Sequence, residues 1–136
     1  MRVNTALLCE AVTVRDGLIN ILGGGITEVQ HSEFPAELGV ALALRIMVHP
    51  TEVAHPHQLE IVLQGDDGEQ VTKVDVGIEA GDASGIPPGE EGEMLIAWTF
   101  PARPKLPGPG RYSFEVLIDG AHQASLPLRV AEIGGE

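Results

Sequence analysis

Apolar and polar residues alternate along most of the chain with a period of two, which marks half-buried β-strands. The clearest stretch puts Val40, Leu42, Leu44, Ile46 and Val48 on one side. Ala41, Ala43, Arg45, Met47 and His49 fall on the other, so one side is wholly apolar and the other mixed. Leu59, Ile61 and Leu63 form a second strand face, and Gly65-Asp66-Asp67-Gly68 then turns the chain. Thr72, Val74, Val76 and Ile78 share a face beyond that turn, which predicts a β-hairpin. A strand from Glu93 to Phe100 carries Ile96, Trp98 and Phe100 on one face. Another, over residues 111–119, carries Tyr112, Phe114, Val116 and Ile118. Asp119-Gly120 turns it into a partner with Leu126, Leu128 and Val130. At the start, a strand spans about Val3 to Val14, followed by a turn at Asp16-Gly17 and a strand from Leu18 to Leu22. After Gly23-Gly24-Gly25 a further strand runs from about Ile26 to Gln30.

No segment carries a clean helical period. Gly 17 and Pro 10 among 136 residues also favour short elements over long helices. Residues 79–92 form an acidic loop around Pro87-Pro88-Gly89. Residues 101–110 hold Pro101, Pro104, Pro107 and Pro109 and cannot enter the middle of a sheet. The pattern predicts one all-β domain, an antiparallel β-sandwich of about eight or nine strands spanning residues 1–136.

Two segments resemble known families. Leu106-Pro107-Gly108-Pro109-Gly110-Arg111-Tyr112 resembles the tyrosine corner of immunoglobulin-like and fibronectin type III domains. There a Leu lies six residues before a Tyr whose hydroxyl bonds back to nearby backbone. The stretch from Pro109 to Val130 is similar to the last hairpin of many bacterial immunoglobulin-like domains. The resemblance implies an Ig-like sandwich and says nothing about activity. No Cys…Trp…Cys pattern is present, which argues against a true antibody-type domain. The opening, Ala6-Leu7-Leu8-Cys9-Glu10-Ala11 and then Asp16 to Gly25, is similar to the N-terminus of an uncharacterised family of small bacterial proteins, a domain of unknown function. That resemblance implies a cytosolic bacterial β protein with no activity to carry over.

Charge narrows the partners. Eight basic residues against 20 acidic ones give a net charge of −12, with no footprint for nucleic acid or anionic lipid. No apolar run is long enough to span a membrane. The apolar start is short and broken by Glu10, Arg15 and Asp16, unlike a signal peptide. A single cysteine cannot form an internal disulfide, which fits the cytosol. Six Arg against two Lys suit a GC-rich bacterial genome.

Candidate chemistry is sparse. His49, His55 and His57 fall within nine residues, and Glu52 or Glu60 could complete a metal site. The run resembles the cupin metal motif, but only two residues separate His57 from Glu60 and no second motif follows. The competing reading is a Pro-rich surface loop. Asp66, Asp67, Glu69, Glu79, Asp82, Glu90, Glu91 and Glu93 lie in turns and loops that calcium could use. They lack Asp-x-Asp-x-Asp spacing, and turn carboxylates ordinarily serve solubility. Gly23-Gly24-Gly25 reads as a bend, without the ending of a phosphate loop. Cys9 lies in an apolar strand and reads as a small buried hydrophobe. Ser32, Ser84, Ser113 and Ser125 sit in no Gly-x-Ser-x-Gly elbow. The sequence therefore predicts no enzyme and no cofactor. Of Phe34, Trp98, Phe100, Tyr112 and Phe114, four alternate in phase with core residues, which disfavours a sugar-binding platform.

Two strands are apolar on both faces. Thr5 to Val14 puts Leu7 and Cys9 on one side and Ala6, Leu8, Val12 and Val14 on the other. Met94 to Trp98 is apolar throughout. A two-layer sandwich buries one face per strand, so a long loop, a second copy or a partner must cover the rest. These features predict a non-enzymatic interaction or assembly module that binds a protein partner or itself. A homo-oligomer would use Leu8, Val12, Val14 and Leu95 as its interface. The alternative is a metal- or small-ligand-binding sandwich using His49, His55, His57 and Glu60.

Overall fold

A computed structural model describes residues 1–81, 85–100 and 104–134. Asp82, Ser84 and Pro101 lie outside the described residues. Twelve strands occur among the described residues: β1 (Arg2–Cys9), β2 (Ala11–Arg15), β3 (Leu18–Leu22), β4 (Glu28–His31), β5 (Ala36–Glu37), β6 (Ala41–Val48), β7 (His57–Gly65), β8 (Gln70–Ile78), β9 (Gly92–Thr99), β10 (Lys105–Leu106), β11 (Gly110–Ile118) and β12 (Ala121–Glu132). A single 3₁₀ turn, Pro50–Glu52, precedes β7. The count exceeds the expected eight or nine for two reasons. The opening strand breaks at Glu10 into β1 and β2, and the two-residue strands β5 and β10 carry no alternation to read.

A five-stranded sheet has the order β4-β12-β11-β7-β8, and a three-stranded sheet the order β1-β6-β9. β2-β3 and β5-β10 are two-stranded. All pairings are antiparallel except that of β12 with β4. The main core lies between the two larger sheets in a sandwich-like arrangement. Leu42, Leu44, Ile46 and Val48 of β6 meet Leu59, Ile61 and Leu63 of β7 and Phe114, Val116 and Ile118 of β11, all buried. These are the faces the alternation assigned to the interior. The aromatics also join this core: Phe100, Tyr112 and Phe114 are buried in it, and Phe34 and Trp98 pack against it. Tyr112 Oη donates to the Gly108 carbonyl oxygen at 2.6 Å, pinning the entry of β11.

The turns follow local chemistry. Asp16 and Gly17 have φ of 53° and 73°, and Asp119 and Gly120 have 50° and 80°. Both dipeptides close two-residue hairpins that need positive φ at each central position. The Gly65–Gly68 turn also forms, with Gly68 N donating to the Gly65 carbonyl at 3.0 Å.

The outer face of β6 resolves the two-sided strands. Ala41 and Ala43 are buried there with Cys9 and Val12, and Leu7, Ile19 and Ala97 pack around them. The β2-β3 hairpin therefore folds back over the upper half of the β1-β6-β9 sheet. Alanines at 41, 43 and 97 leave the room for it to lie close. A loop was one expected cover; the cover is the chain's own hairpin. The lower half of that face is polar, where the Arg45 guanidinium pairs with Glu93 at 2.6 Å and reaches Asn4 at 3.2 Å.

Candidate functional site

The hairpin that covers one sheet leaves its own far side bare. β2 and β3 pair in continuous register, Ala11↔Leu22, Val12↔Ile21, Thr13↔Asn20, Val14↔Ile19 and Arg15↔Leu18. Alternation sends Val12, Val14, Ile19 and Ile21 toward the sheet and Leu18, Asn20 and Leu22 away from it. Leu18 is 67% exposed and Leu22 66%, while Val14 and Ile21 at the hairpin rim are 43% and 40% exposed. Ile133 is the remaining large exposed hydrophobe among the described residues. A shallow cleft of about 200 Å³ runs across the hairpin between Ala11, Val12, Thr13, Asn20, Ile21 and Leu22. The glycine run sets the hairpin's height. Gly23 bends the chain with φ of 62°. A Cβ on Gly24 would stand 2.9 Å from methyl groups of both Ile21 and Leu7, so a side chain there would displace them. Gly25 N and Ile26 N then donate to the Leu8 carbonyl at 2.8 and 3.0 Å.

This geometry corrects part of the expected interface. Leu8 is 1% exposed and faces the main core, because its pairing with Leu42 puts both on the inner face. Val12 is 8% exposed and faces Cys9 and the β6 alanines. Neither is available to a partner. Leu95 is half-buried on the outer face opposite Arg45, away from the hairpin. Val14 is exposed at the rim of the hairpin, on the face that Val12 shares. Leu18, Ile21 and Leu22 were missed. Their signal was a five-residue strand with no charge in an acidic chain.

The histidines do not converge. The His57 ring lies 2.5 Å through Nδ1 from Asp119 Oδ2 and 3.0 Å through Nε2 from the Glu52 carbonyl oxygen. Both ring nitrogens face oxygen acceptors, an arrangement that favours the imidazolium and leaves neither nitrogen open to a metal. The Asp119 carboxylate accordingly raises the His57 pKa, helped by the Glu52 carbonyl, and His57 lowers that of Asp119 in return. His49 Nδ1 accepts from Thr51 N at 3.2 Å and caps the 3₁₀ turn. His55 is exposed, and its backbone N–H donates to Glu52 O at 3.3 Å. Glu60 faces Lys73 at 3.7 Å. Glu52 itself pairs with the Met1 ammonium, which holds its carboxyl below the usual range. Among the described residues no three His, Cys, Asp or Glu side chains gather as a metal site. The segment is a structural brace, and the expected metal set is not assembled.

Other groups are likewise engaged. Cys9 Sγ donates to the Ala41 carbonyl at 3.6 Å, and burial raises its pKa, so it stays a neutral thiol. Asp67 Oδ1 accepts from Glu69 N at 2.9 Å within the turn. That turn borders an open cleft of about 680 Å³ facing Lys105, Arg111 and Tyr112.

One cluster has no signal in the sequence. Glu115 Oε2 accepts from Ser125 Oγ and lies 2.7 Å from His122 Nε2, and Glu115 Oε1 accepts from Ser113 at 3.1 Å. Burial pushes the Glu115 carboxyl up, but these three donors outweigh it and hold it low. The residue types are those of a Ser-His-Glu triad, but the wiring differs. Glu115 Oε2 meets both Ser125 Oγ and His122 Nε2 directly, whereas a triad carboxylate lies behind the imidazole on its far nitrogen. Ser125 Oγ also lies 3.2 Å from His122 Nε2, so carboxylate, imidazole and serine meet at one point instead of forming the linear relay of a triad.

The family comparison follows this geometry. A family profile described as a family of unknown function, DUF6941, matches residues 4–131. The chain belongs to that family. No curated protein matches it. Among solved structures, beta-glucosidase from Listeria innocua in complex with isofagomine is similar at 15% identity and a TM-score of 0.43. That likeness covers 80% of this chain and 15% of the other. Among the described residues no helix is long and apolar enough to cross a membrane.

Proposed function

We propose that this DUF6941 member is a non-enzymatic assembly module of the bacterial cytosol. It has an Ig-like sandwich and associates with a second copy of itself through the β2-β3 hairpin. One observation carries this reading: four of the five large exposed hydrophobes among the described residues lie in that hairpin. Leu18 and Leu22 project from its bare side and Val14 and Ile21 sit at its rim, and apolar side chains gathered on one element favour a covered state. Charge supports a second copy as the cover. With a net charge of −12, two copies repel over most of their surface. Between Ala11 and Leu22 the only charges are Arg15 and Asp16, which cancel. Self-contact there meets the least repulsion. The Ig-like assignment is supported by the Tyr112–Gly108 bond, which the tyrosine-corner spacing of Leu106 and Tyr112 anticipates.

Light scattering after size exclusion, in EDTA, tests the reading. The expected mass is twice 14.4 kDa. Leu18→Asp with Leu22→Asp should return it to a folded monomer whose melting temperature no longer depends on protein concentration. Each leucine is worth about 2 kcal/mol of buried apolar surface, or roughly thirtyfold in affinity. A monomeric wild-type chain at high concentration overturns the reading.

A further inference from the structure

The β3 strand with its flanking glycines reads the same in both directions: Gly17-Leu18-Ile19-Asn20-Ile21-Leu22-Gly23, centred on Asn20. It is also an open edge, paired on one side with β2 and on the other with no strand among the described residues. The chain protects its other sheet edges with charge. Arg2 lies on β1, Arg15 on β2, Glu28 on β4, Glu37 on β5, Lys73 and Asp75 on β8, Glu93 on β9 and Lys105 on β10. Such charges discourage strand addition. β3 alone among these edges has no charged residue, no proline and no bulge.

We infer that β3 pairs antiparallel with β3 of a second copy about a two-fold axis through Asn20. This rests on the reading of the hairpin as the self-association surface and specifies its geometry. An isologous two-fold contact brings each residue opposite its mirror position. Because of the palindrome, Leu18 meets Leu22 of the other copy, Ile19 meets Ile21, and Asn20 meets Asn20. Like aliphatic side chains thus form cross-strand pairs on both faces. Glycine stands opposite glycine at each end, so no side chain obstructs the crossing copy as β3 turns away. The two facing amides satisfy each other, and a one-residue slip would strand them against isoleucine. The product is a four-stranded ribbon, β2-β3-β3-β2. Two strands alone are marginal, whereas three or more with an apolar face hold together.

Cross-linking tests the geometry separately from association. Asn20→Cys treated with a short bis-maleimide should give a covalent dimer, since directly opposite Cβ atoms lie about 5 Å apart. Cys9 is buried, so it does not compete. Leu18→Cys alone and Leu22→Cys alone should not cross-link, because each position lies four residues, roughly 13 Å, from its own copy. A mixture of the two should. As a second test, Asn20→Lys and Asn20→Asp should each be monomeric, and their mixture should dimerise. A dimeric mass without an Asn20→Cys cross-link overturns the strand pairing and leaves the hairpin surface standing. Cross-linking by Leu18→Cys alone overturns the register, as does a dimer that survives Asn20→Lys. A monomeric wild-type chain overturns both proposals.

Discussion

Two hairpins in this protein share one turn chemistry and end in opposite environments. β2-β3 turns at Asp16-Gly17 and β11-β12 at Asp119-Gly120, with positive φ at both positions of each. The second is built into the five-stranded sheet, with Phe114, Val116 and Ile118 shut in the core. The first is a separate ribbon with Leu18 and Leu22 in solvent. The turn aspartates differ in the same way. Asp119 accepts from Gln58 N at 2.9 Å and holds His57, tying the turn to β7. Asp16 has an exposed neighbour in Arg15 at 3.9 Å, which contributes little. A local turn signal makes a hairpin, and only the neighbours decide what the hairpin is worth.

The largest test of this contrast is truncation in each hairpin. Phe114→Ala should cost about 3–5 kcal/mol by leaving a cavity between the sheets, read as a collapse of the denaturant midpoint. Leu22→Ala on the monomer should stay within about 0.5 kcal/mol. The hairpin's buried side comes next. Val12→Ala removes two buried methyls, about 1.5 kcal/mol, from a cluster far smaller than the main core. The hairpin should then open locally, and Cys9 should react faster with a thiol reagent while the global melt moves little. Equal loss of Cys9 protection and global stability would show that the hairpin does not open on its own.

Smaller again is the pair of turn aspartates. Asp119→Ala should destabilise by about 1 kcal/mol, discounted for the solvent around its half-exposed carboxylate, and Asp16→Ala by less. Equal effects would erase the distinction between the turns. Last is pH. The folded pKa of His57 is raised, so its contribution is complete below its ordinary value of about 6.5 and fades as pH rises through the folded value. Asp119, Glu52 and Glu115 are lowered, so theirs is complete above the ordinary carboxylate range and fades as pH falls through the folded values. Stability should therefore be flat from about pH 4.5 to 6.5 and decline on both sides. Asp119→Asn, which keeps a side chain tolerant of positive φ, should flatten the alkaline limb in a urea titration.

Much of the sandwich was legible because burying one face of a strand imposes a period of two. The faces of β6, β7, β8 and β11 fell where the alternation put them. The break at Glu10 was not legible, since a run apolar on both sides carries no phase. That run also hid the interface: Leu8 and Val12 looked alike, yet one closes the main core and the other holds down the hairpin. The histidine cluster shows the reverse error. His49, His55 and His57 are near in sequence, but a 3₁₀ turn capped by His49 separates them, and His57 finds its partner in Asp119, 62 residues away.

By itself, the sequence determined the all-β class, the main turns and which residues of most strands face inward. Each depends on backbone conformation or side-chain alternation within a few residues. Tertiary structure alone decided that the chain's own hairpin covers the outer face of β6, that His57 pairs with Asp119, and that β3 is left without a second neighbouring strand among the described residues. Those outcomes depend on which strands lie beside each other, and strand partners are chosen by packing between segments distant in the chain.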